Sequence, residues 1–187
     1  DLFGSFEAEA FAAASLGQVH RGTLTDGTPI VVKVQYPGVE KTVEQDLRNL
    51  KTLLHTFTMI GRDLFRQPID ADALHQEMEE RLGEELDYEL EARNQRAFNA
   101  YYKDHPYVHV PEVIDHLCSR RIVTTELVIG STWQELLTWD QSERDLAAEC
   151  ICRFVFRSLY RFKAFNGDPH PGNYLFHRNG RVTFLDF

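Results

Sequence analysis

Asp168, Asn173 and Asp186, close to the end of the sequence, have side chains suited to holding a metal ion beside a reacting hydroxyl. Residues 166–173 contain two prolines and two glycines, which exclude regular structure there. A loop aspartate can orient a hydroxyl nucleophile or accept its proton, and an asparagine oxygen five residues later can bind Mg²⁺. A predicted hairpin returns Asp186 to this loop as a second hard oxygen ligand. The alternative is that Asp-Pro and Pro-Gly-Asn are only turn sequences.

Lys33 is a cation inside the otherwise apolar stretch 30–34, which predicts a strand. A buried ammonium needs an anionic partner, since an unpaired charge there is costly. Glu84, Asp87 and Glu91 follow at helical i, i+3, i+7 spacing, so we expect them to share one stripe from which a carboxylate neutralises Lys33. Two alternatives stay open: Lys33 ends an edge strand and faces solvent, and the acidic run is an ordinary solvated helix face.

Short strands are predicted around these residues. Residues 19–24 and 30–34 form a hairpin around the Asp26-Gly27 turn signal, and residues 12–18 before them are small and flexible. Further strands are predicted at 108–113, 121–128, 174–176 and 182–185, with a turn at 178–180.

Helices are predicted from apolar residues recurring at intervals of three and four. They cover 39 to about 60, 70 to about 102 with Asp70 or Asp72 as its N-cap, 132–137, and 143–164. Gly130 and Ser131 look like a joint between two parts of the chain. The order of elements therefore predicts two lobes with a cleft between them, 1–129 and 130–187.

Composition limits the function classes. The 187 residues are 43% hydrophobic and 26% charged, which is typical of a globular protein. The net charge of −9 argues against a nucleic-acid partner. No apolar run approaches the roughly 18 residues of a membrane span. Cys118, Cys150 and Cys152 form an odd set without a zinc pattern, so we expect inert thiols in a reduced, cytoplasmic compartment.

Several other kinds of site are excluded by the absence of their motifs. The eight histidines show no metal-binding pattern, and Pro106 separates His105 from His109. No Gly-x-Ser-x-Gly or His-Glu-x-x-His motif is present, and Gly17-Gln18 is not followed by the Gly-Lys-Ser/Thr of a P-loop.

Five motifs occur in an order that resembles the UbiB family of atypical kinases, in its bacterial type, a family linked to coenzyme-Q biosynthesis. Each motif is weak alone, but the ordered set is specific and covers nearly the whole chain. They are Ala-Ala-Ala-Ser-Leu-Gly-Gln-Val-His at 12–20, Val-Lys-Val-Gln-Tyr-Pro-Gly-Val at 32–39, Glu-Leu-Asp-Tyr at 85–88 with Glu-Ala at 91–92, Asp-Pro-His-Pro-Gly-Asn at 168–173, and Leu-Asp-Phe at 185–187.

This resemblance implies an α+β, protein-kinase-like fold of two lobes, with an antiparallel sheet in the first lobe and helices in the second. It implies ATP or ADP and Mg²⁺ as cofactors. Lys33 would contact the α- and β-phosphates and pair with Glu91. Asp168 would be the catalytic-loop aspartate, with Asn173 and Asp186 as the metal ligands.

The resemblance also assigns the remaining residues of the nucleotide site. An alanine-rich loop, Ala12, Ala13, Ala14 and Ser15, would cover the phosphates, with Val32 beside Lys33. Glu126 to Val128 would be the hinge whose backbone meets adenine. Glu85 and Asp87 match a regulatory Glu-x-Asp motif that engages an N-terminal Lys-x-Gly-Gln segment. We expect that segment to lie outside this chain, and the helical second lobe to be incomplete.

Alanine in place of glycine adds a Cβ and stiffens a phosphate loop. This favours an ATPase or small-molecule kinase over an ordinary protein kinase. A nucleotide-binding regulator without phosphoryl transfer is the alternative, and an antibiotic-type small-molecule kinase is a third. A lipid or isoprenoid-pathway partner and peripheral association with the inner membrane are further expectations from the resemblance.

Overall fold

The structure is a computed structural model that describes residues 2–61, 70–165 and 169–187. Within these ranges the chain forms eight strands and five α-helices. The strands are β1 (Ser5–Phe6), β2 (Ala12–Ala14), β3 (Gly17–Thr23), β4 (Pro29–Gln35), β5 (Val108–His109), β6 (Ile122–Glu126), β7 (Tyr174–Phe176) and β8 (Val182–Phe184). The helices are α1 (Val39–Gly61), α2 (Ala71–Glu85), α3 (Tyr88–Tyr101), α4 (Trp133–Leu136) and α5 (Gln141–Arg157).

The first sheet is antiparallel and five-stranded, in the order β1-β3-β4-β6, with β2 also pairing with β3. The predicted Asp-Gly turn joins β3 to β4. Gly27 has a φ of 89°, which glycine adopts without strain, and the Thr28 amide donates to the Asp26 carboxylate at 2.9 Å. The expected hairpin is therefore confirmed.

The alanine-rich segment differs from its prediction as a flexible loop. Ala12–Ala14 is strand β2, paired in register with Val19, Gln18 and Gly17, so only Ser15 and Leu16 form the turn. Small side chains allow this close two-residue hairpin, and the Tyr36 amide donates to the Leu16 carbonyl at 3.0 Å, which ties the turn to the end of β4.

The predicted continuous helix from 70 to about 102 is wrong, because it is broken into α2 and α3. Leu86 ends α2, and Asp87 caps α3 by accepting the Leu90 amide at 2.9 Å. The Gln35 side-chain amide donates to the Leu86 carbonyl at 2.6 Å and holds the break against β4. The expected stripe of Glu84, Asp87 and Glu91 therefore does not form. Asp70 caps α2 as predicted.

The second sheet has the order β5-β8-β7, with β5 parallel to β8 and β7 antiparallel to it. It packs with α3 and α5 around the largest core, which includes Phe98, Phe154, Phe176 and Phe184. The hairpin of β7 and β8 is present as predicted, whereas the strand predicted at 108–113 is shorter. The division at 129/130 stays a prediction.

The predicted helix 143–164 stops being α-helical at Arg157, and Ser158–Phe162 continues as a π-helix. Tyr102 Oη contacts Ser158 Oγ at 2.8 Å and donates to the Phe154 carbonyl at 3.0 Å, which fixes the junction. Lys163 then adopts a φ of 57° and ends the segment.

The architecture is α+β, as predicted. Among the described helices, none carries an apolar stretch long enough to cross a bilayer.

Candidate functional site

Lys33 lies in the middle of β4, between Val19 of β3 and Val123 of β6. Because side chains alternate across a strand, its neighbour Val32 points to the opposite face, where it is buried with Ile30. The Lys33 side chain is only 21% exposed, so the alternative of a solvent-facing edge lysine is wrong. The structure thus does not bring the Val32 side chain to the Lys33 face.

Glu91, in the first turn of α3, is the partner of Lys33. The Lys33 ammonium donates to both carboxylate oxygens, each at 2.8 Å, and the Glu91 side chain is 14% exposed. Burial alone would lower the pKa of Lys33, but the carboxylates of Glu91 and Asp186 outweigh it and raise that pKa above the usual lysine value. Burial raises the pKa of Glu91, against the opposing effect of Lys33. The expected pairing is present.

Asp186 follows β8, and its carboxylate is close enough to act electrostatically on both Lys33 and Glu91. The β7–β8 hairpin brings Asn173 to it, because the Leu185 amide donates to the Asn173 carbonyl at 2.9 Å. The short 3-10 turn Pro171–Asn173 precedes this contact. Two hard oxygen side chains thus lie at adjacent backbone positions. Asp168, the expected catalytic aspartate, lies outside the described residues.

Phe187 anchors the end of this segment. Its ring lies 4.6 Å from that of Phe98 and 6.4 Å from that of Phe154, measured between centroids, and its amide donates to the Asp186 carboxylate at 3.1 Å. Phe98 is on α3, two turns after Glu91. The same helix therefore supplies the partner of Lys33 and the apolar support for the residue after Asp186.

The donor chemistry of Asn173 and Asp186 bears on whether they can hold a metal ion. In the described ranges no three His, Cys, Asp or Glu side chains gather into a metal cage. Mg²⁺ does not require one, because it is usually held by one or two carboxylates together with phosphate oxygens and water. The oxygen donors of Asn173 and Asp186 fit that pattern.

Ala12, Ala13, Ala14 and Ser15 form a hairpin with the first residues of β3, which begins directly after the turn at Gly17. Ser15 donates its hydroxyl to the Glu85 carboxylate at 3.1 Å, which links the turn to the end of α2. A Cβ on Gly17 would overlap the Val34 carbonyl oxygen, so glycine is required for the close approach of the strands there. The position of the hairpin over phosphates stays a prediction.

Glu126 and Val128 are assigned to an adenine-binding hinge. Glu126 is the last residue of β6, and Val128 lies two residues beyond it. The Glu126 amide donates to the Glu112 carbonyl at 2.9 Å, and its carboxylate contacts His109 Nε2 at 2.8 Å. That hydrogen bond lowers the pKa of Glu126. The Glu126 amide and side chain are therefore used within the fold, Val128 is half-buried, and their contact with adenine stays a prediction.

Glu85 and Asp87 flank the break between α2 and α3. Glu85 accepts from Ser15, whereas Asp87 caps α3 and lies 4.0 Å from Arg93. The structure gives both carboxylates local tasks beside the hairpin, and their regulatory role stays a prediction.

Tyr88, to which sequence reasoning assigned no role, lies under Lys33. It is 2% exposed, and the Lys33 ammonium is 4.9 Å from its ring centroid. Its only signal in the sequence was its place in the Glu-Leu-Asp-Tyr motif, since a single tyrosine at the start of a helix does not indicate what it contacts.

The three cysteines are all free, and they differ in burial. Cys150 is buried, Cys118 is half-buried and Cys152 is exposed. Burial raises the pKa of Cys150 to about 11, so its thiol stays protonated at neutral pH.

The chain resembles several known proteins along its whole length. It is 35% identical over 188 residues to the rat protein "Atypical kinase COQ8B, mitochondrial", covering 100% of this chain and 35% of that protein. It is 35% identical over 190 residues to the Arabidopsis thaliana "Protein ACTIVITY OF BC1 COMPLEX KINASE 1, chloroplastic", covering 100% of the chain and 28% of the relative. The chain spans about a third of the length of such relatives.

A solved structure gives the same result for the fold. The complex of Rv3197 with erythromycin from Mycobacterium tuberculosis matches with a TM-score of 0.86 and 34% identity, covering 100% of this chain and 46% of that one. The family model described as ABC1 atypical kinase-like domain matches residues 1–187. The kinase-like fold expected from the sequence is confirmed, and the chain belongs to the ABC1 atypical kinase-like family, which includes the COQ8 and UbiB proteins.

Proposed function

We propose that this chain forms an ATP- and Mg²⁺-binding site of an atypical kinase or ATPase, with Lys33 as its central cation. The observation that carries the proposal is the contact of the Lys33 ammonium with both oxygens of Glu91, in a largely buried place next to Asp186. An ion pair that is costly to bury needs a reason to be there. A fixed ammonium beside a carboxylate that can bind a metal is suited to holding nucleotide phosphates.

Lys33 contributes a permanent positive charge in this proposal. Its raised pKa keeps the ammonium protonated throughout the physiological range, and Glu91 holds it in one position. The ammonium would therefore contact phosphate oxygens without first being ordered, which saves the conformational entropy of a free lysine.

Asn173 and Asp186 are the residues that would hold Mg²⁺, and Asp168 would orient the nucleophile. Bound Mg²⁺ would neutralise phosphate charge. The bond between the Leu185 amide and the Asn173 carbonyl supports this assignment, since it fixes the two ligand-bearing segments side by side.

A nucleotide-binding regulator that transfers no phosphoryl group is the second candidate. The exposed alanines Ala12 and Ala13 favour this candidate. They lie on β2, which is paired with β3 and is therefore stiffer than a glycine-rich phosphate loop. Release of inorganic phosphate from ATP, dependent on Mg²⁺ and lost in Asp186→Asn, would distinguish the enzyme from the regulator.

A small-molecule phosphotransferase of the antibiotic-kinase type is less favoured, because Ser15 in the alanine hairpin contacts Glu85 of the Glu-Leu-Asp sequence. We further propose a lipid or isoprenoid-pathway partner and a peripheral position at a membrane. Support comes from the resemblance to UbiB proteins and from relatives named as mitochondrial or chloroplastic.

The test is thermal stabilisation of the intact protein by Mg²⁺-ADP and Mg²⁺-ATP. Binding to the native state alone should add about 2.7 kcal/mol at a hundredfold excess over Kd. Lys33→Ala and Asp186→Asn should lose the shift, and Lys41→Ala, on the exposed surface of α1, should keep it. A wild-type protein that melts cooperatively with no nucleotide shift would overturn the proposal.

A further inference from the structure

Two buried tyrosines differ in how their hydroxyls are satisfied. Tyr102 is 3% exposed, and its hydroxyl bonds to the Phe154 carbonyl and to Ser158 Oγ. Tyr88 is equally buried, yet its hydroxyl has no hydrogen-bond partner among the described residues. A buried unsatisfied hydroxyl costs stability that phenylalanine would not cost. Packing alone therefore does not explain why position 88 carries tyrosine.

The Tyr88 hydroxyl points at the root of the alanine hairpin. A Cβ built on Gly17 would lie 2.8 Å from it and would also overlap the Val34 carbonyl oxygen. Gly17 pairs with Ala14, the last residue of β2. The hydroxyl thus occupies the space left by the glycine that starts β3, below the Ser15-Leu16 turn.

The Tyr88 ring contacts the cation of the Lys33–Glu91 ion pair. The Lys33 ammonium is 4.9 Å from the ring centroid, a cation–π distance, while Glu91 lies one helical turn further along α3. Burial raises the pKa of Tyr88 to about 12, so the hydroxyl remains a neutral donor. Below it the ring packs with Ala92, Val113 and Val123.

We propose that Tyr88 is a positioning residue of the nucleotide site. Its ring fixes the Lys33 ammonium beside Glu91, and its hydroxyl gains a main-chain acceptor from the hairpin when the hairpin closes on a bound nucleotide. This inference rests on the proposed function. It assigns the tyrosine a task that links the hairpin to Lys33, and it accounts for the stability that the hydroxyl costs when nucleotide is absent.

The test compares Tyr88→Phe and Tyr88→Leu with the matched control Tyr102→Phe in the intact protein. Without nucleotide, Tyr88→Phe should raise Tm by about 2–4 °C, whereas Tyr102→Phe should lower Tm by about 2–6 °C. With Mg²⁺-ADP, Tyr88→Phe should weaken binding about tenfold, and Tyr102→Phe should leave the Kd unchanged. A residue with only a structural role would not separate stability from affinity in this way.

The ring is tested by acylation of Lys33 at pH 8.5, measured by mass spectrometry against Lys41 in the same sample. Tyr88→Leu should speed acylation of Lys33 several-fold, because it removes the aromatic ring that holds the ammonium beside Glu91. Tyr88→Phe keeps an aromatic ring and should not change the rate.

Three results would overturn the inference. One is a Tyr88→Phe protein with wild-type affinity for Mg²⁺-ADP. Another is a Tyr88→Phe protein as unstable as Tyr102→Phe, because its hydroxyl would then already have a partner. The third is unchanged acylation of Lys33 in Tyr88→Leu. If the wild-type protein itself fails to bind Mg²⁺-ADP, the proposed function falls first and the inference falls with it.

Discussion

The ammonium of Lys33 lies 2.8 Å from both oxygens of Glu91, and water reaches little of either side chain. Such a pair gains its attraction only by giving up the hydration of two charges. Its net contribution to stability is therefore small, but the loss of one member is costly because the other stays buried without its counter-charge.

We expect Lys33→Met to destabilise the fold by about 2–4 kcal/mol, since Glu91 then loses its cation. Glu91→Gln should act in the same direction through Lys33. The loss of stability in the double variant should be smaller than the sum of the two single losses by at least about 1 kcal/mol. Urea unfolding of the four proteins measures this coupling.

The control for this cycle is the exposed pair of Arg153 and Glu149, which are one turn apart on α5. Arg153→Met should change stability by less than about 0.5 kcal/mol. Strict additivity of the Lys33 and Glu91 substitutions would contradict a coupled pair.

Residues of the site differed in how far the sequence revealed them. Lys33 was visible because a cation inside an apolar strand needs a partner. Glu91 could be chosen among its acidic neighbours only through the resemblance, because the break at Leu86 and Asp87 changes which carboxylates share a face. Tyr88 gave no usable signal, since its importance comes from contacts with two distant strands.

At the scale of elements, the junction of α2 and α3 decides how Glu91 and Tyr88 face the sheet. Asp87 caps α3 through the Leu90 amide at 2.9 Å, and Asp70 caps α2 through the Ala73 amide at 3.0 Å. The two caps are chemically the same, but only α3 carries the residues that contact Lys33.

Asp87→Ala and Asp70→Ala should each cost about 1 kcal/mol of stability, because each leaves amides at a helix start without an acceptor. Only Asp87→Ala should also weaken Mg²⁺-ADP binding, since it loosens the first turn of α3, which bears both Tyr88 and Glu91. Asp87→Asn, which keeps an acceptor oxygen, should restore most of both. Thermal unfolding and calorimetric titration measure the two effects, and equal loss of affinity in both alanine variants would argue against this difference.

Elements that depend on local sequence patterns were predicted correctly, whereas elements that depend on contacts with distant parts of the chain were missed. The Asp26-Gly27 hairpin and helix α1 are set by local turn chemistry and apolar periodicity. Strand β2 was missed because three alanines carry no strand preference. They are a strand because they pair with β3. The break after α2 was missed because the side chain of Gln35, fifty-one positions away, bonds to Leu86.

For the whole molecule, we expect His105 and His177 to make stability depend on pH. Burial lowers the pKa of His105, whose Nδ1 accepts the Val108 amide at 3.0 Å, and burial likewise lowers the pKa of His177. The unfolded chain, with histidine pKa values near 6.5, therefore binds protons that the folded chain does not.

Stability should be complete above pH 6.5 and should fall as the pH drops from there towards the lower folded pKa values. Urea unfolding between about pH 7.5 and 5.5 measures the slope, which should shrink in His105→Asn and His177→Asn. His116→Asn, at an exposed position, should leave it unchanged. Stability that stays level or rises on acidification would contradict the assignment.

The overall architecture followed from the sequence further than the site did. Apolar periodicity and turn residues predicted most of the strands and helices, and the resemblance of the ordered motifs led to the α+β kinase-like fold and to the family. Pairing of β5 with β8, which joins residues 108–109 to 182–183, depends on contacts far apart in the chain and left no local pattern.

Helix α3 has Glu91 on one turn and Phe98 two turns later, so its ends hold the ammonium of Lys33 and the ring of Phe187. Because a helix is stiff, a displacement that carried the whole of α3 away from both contacts would separate Glu91 from Lys33 and Phe98 from Phe187 at the same time. The charged contact and the aromatic contact would then be lost together. A partner that displaced α3 as a whole would therefore act on both with one movement.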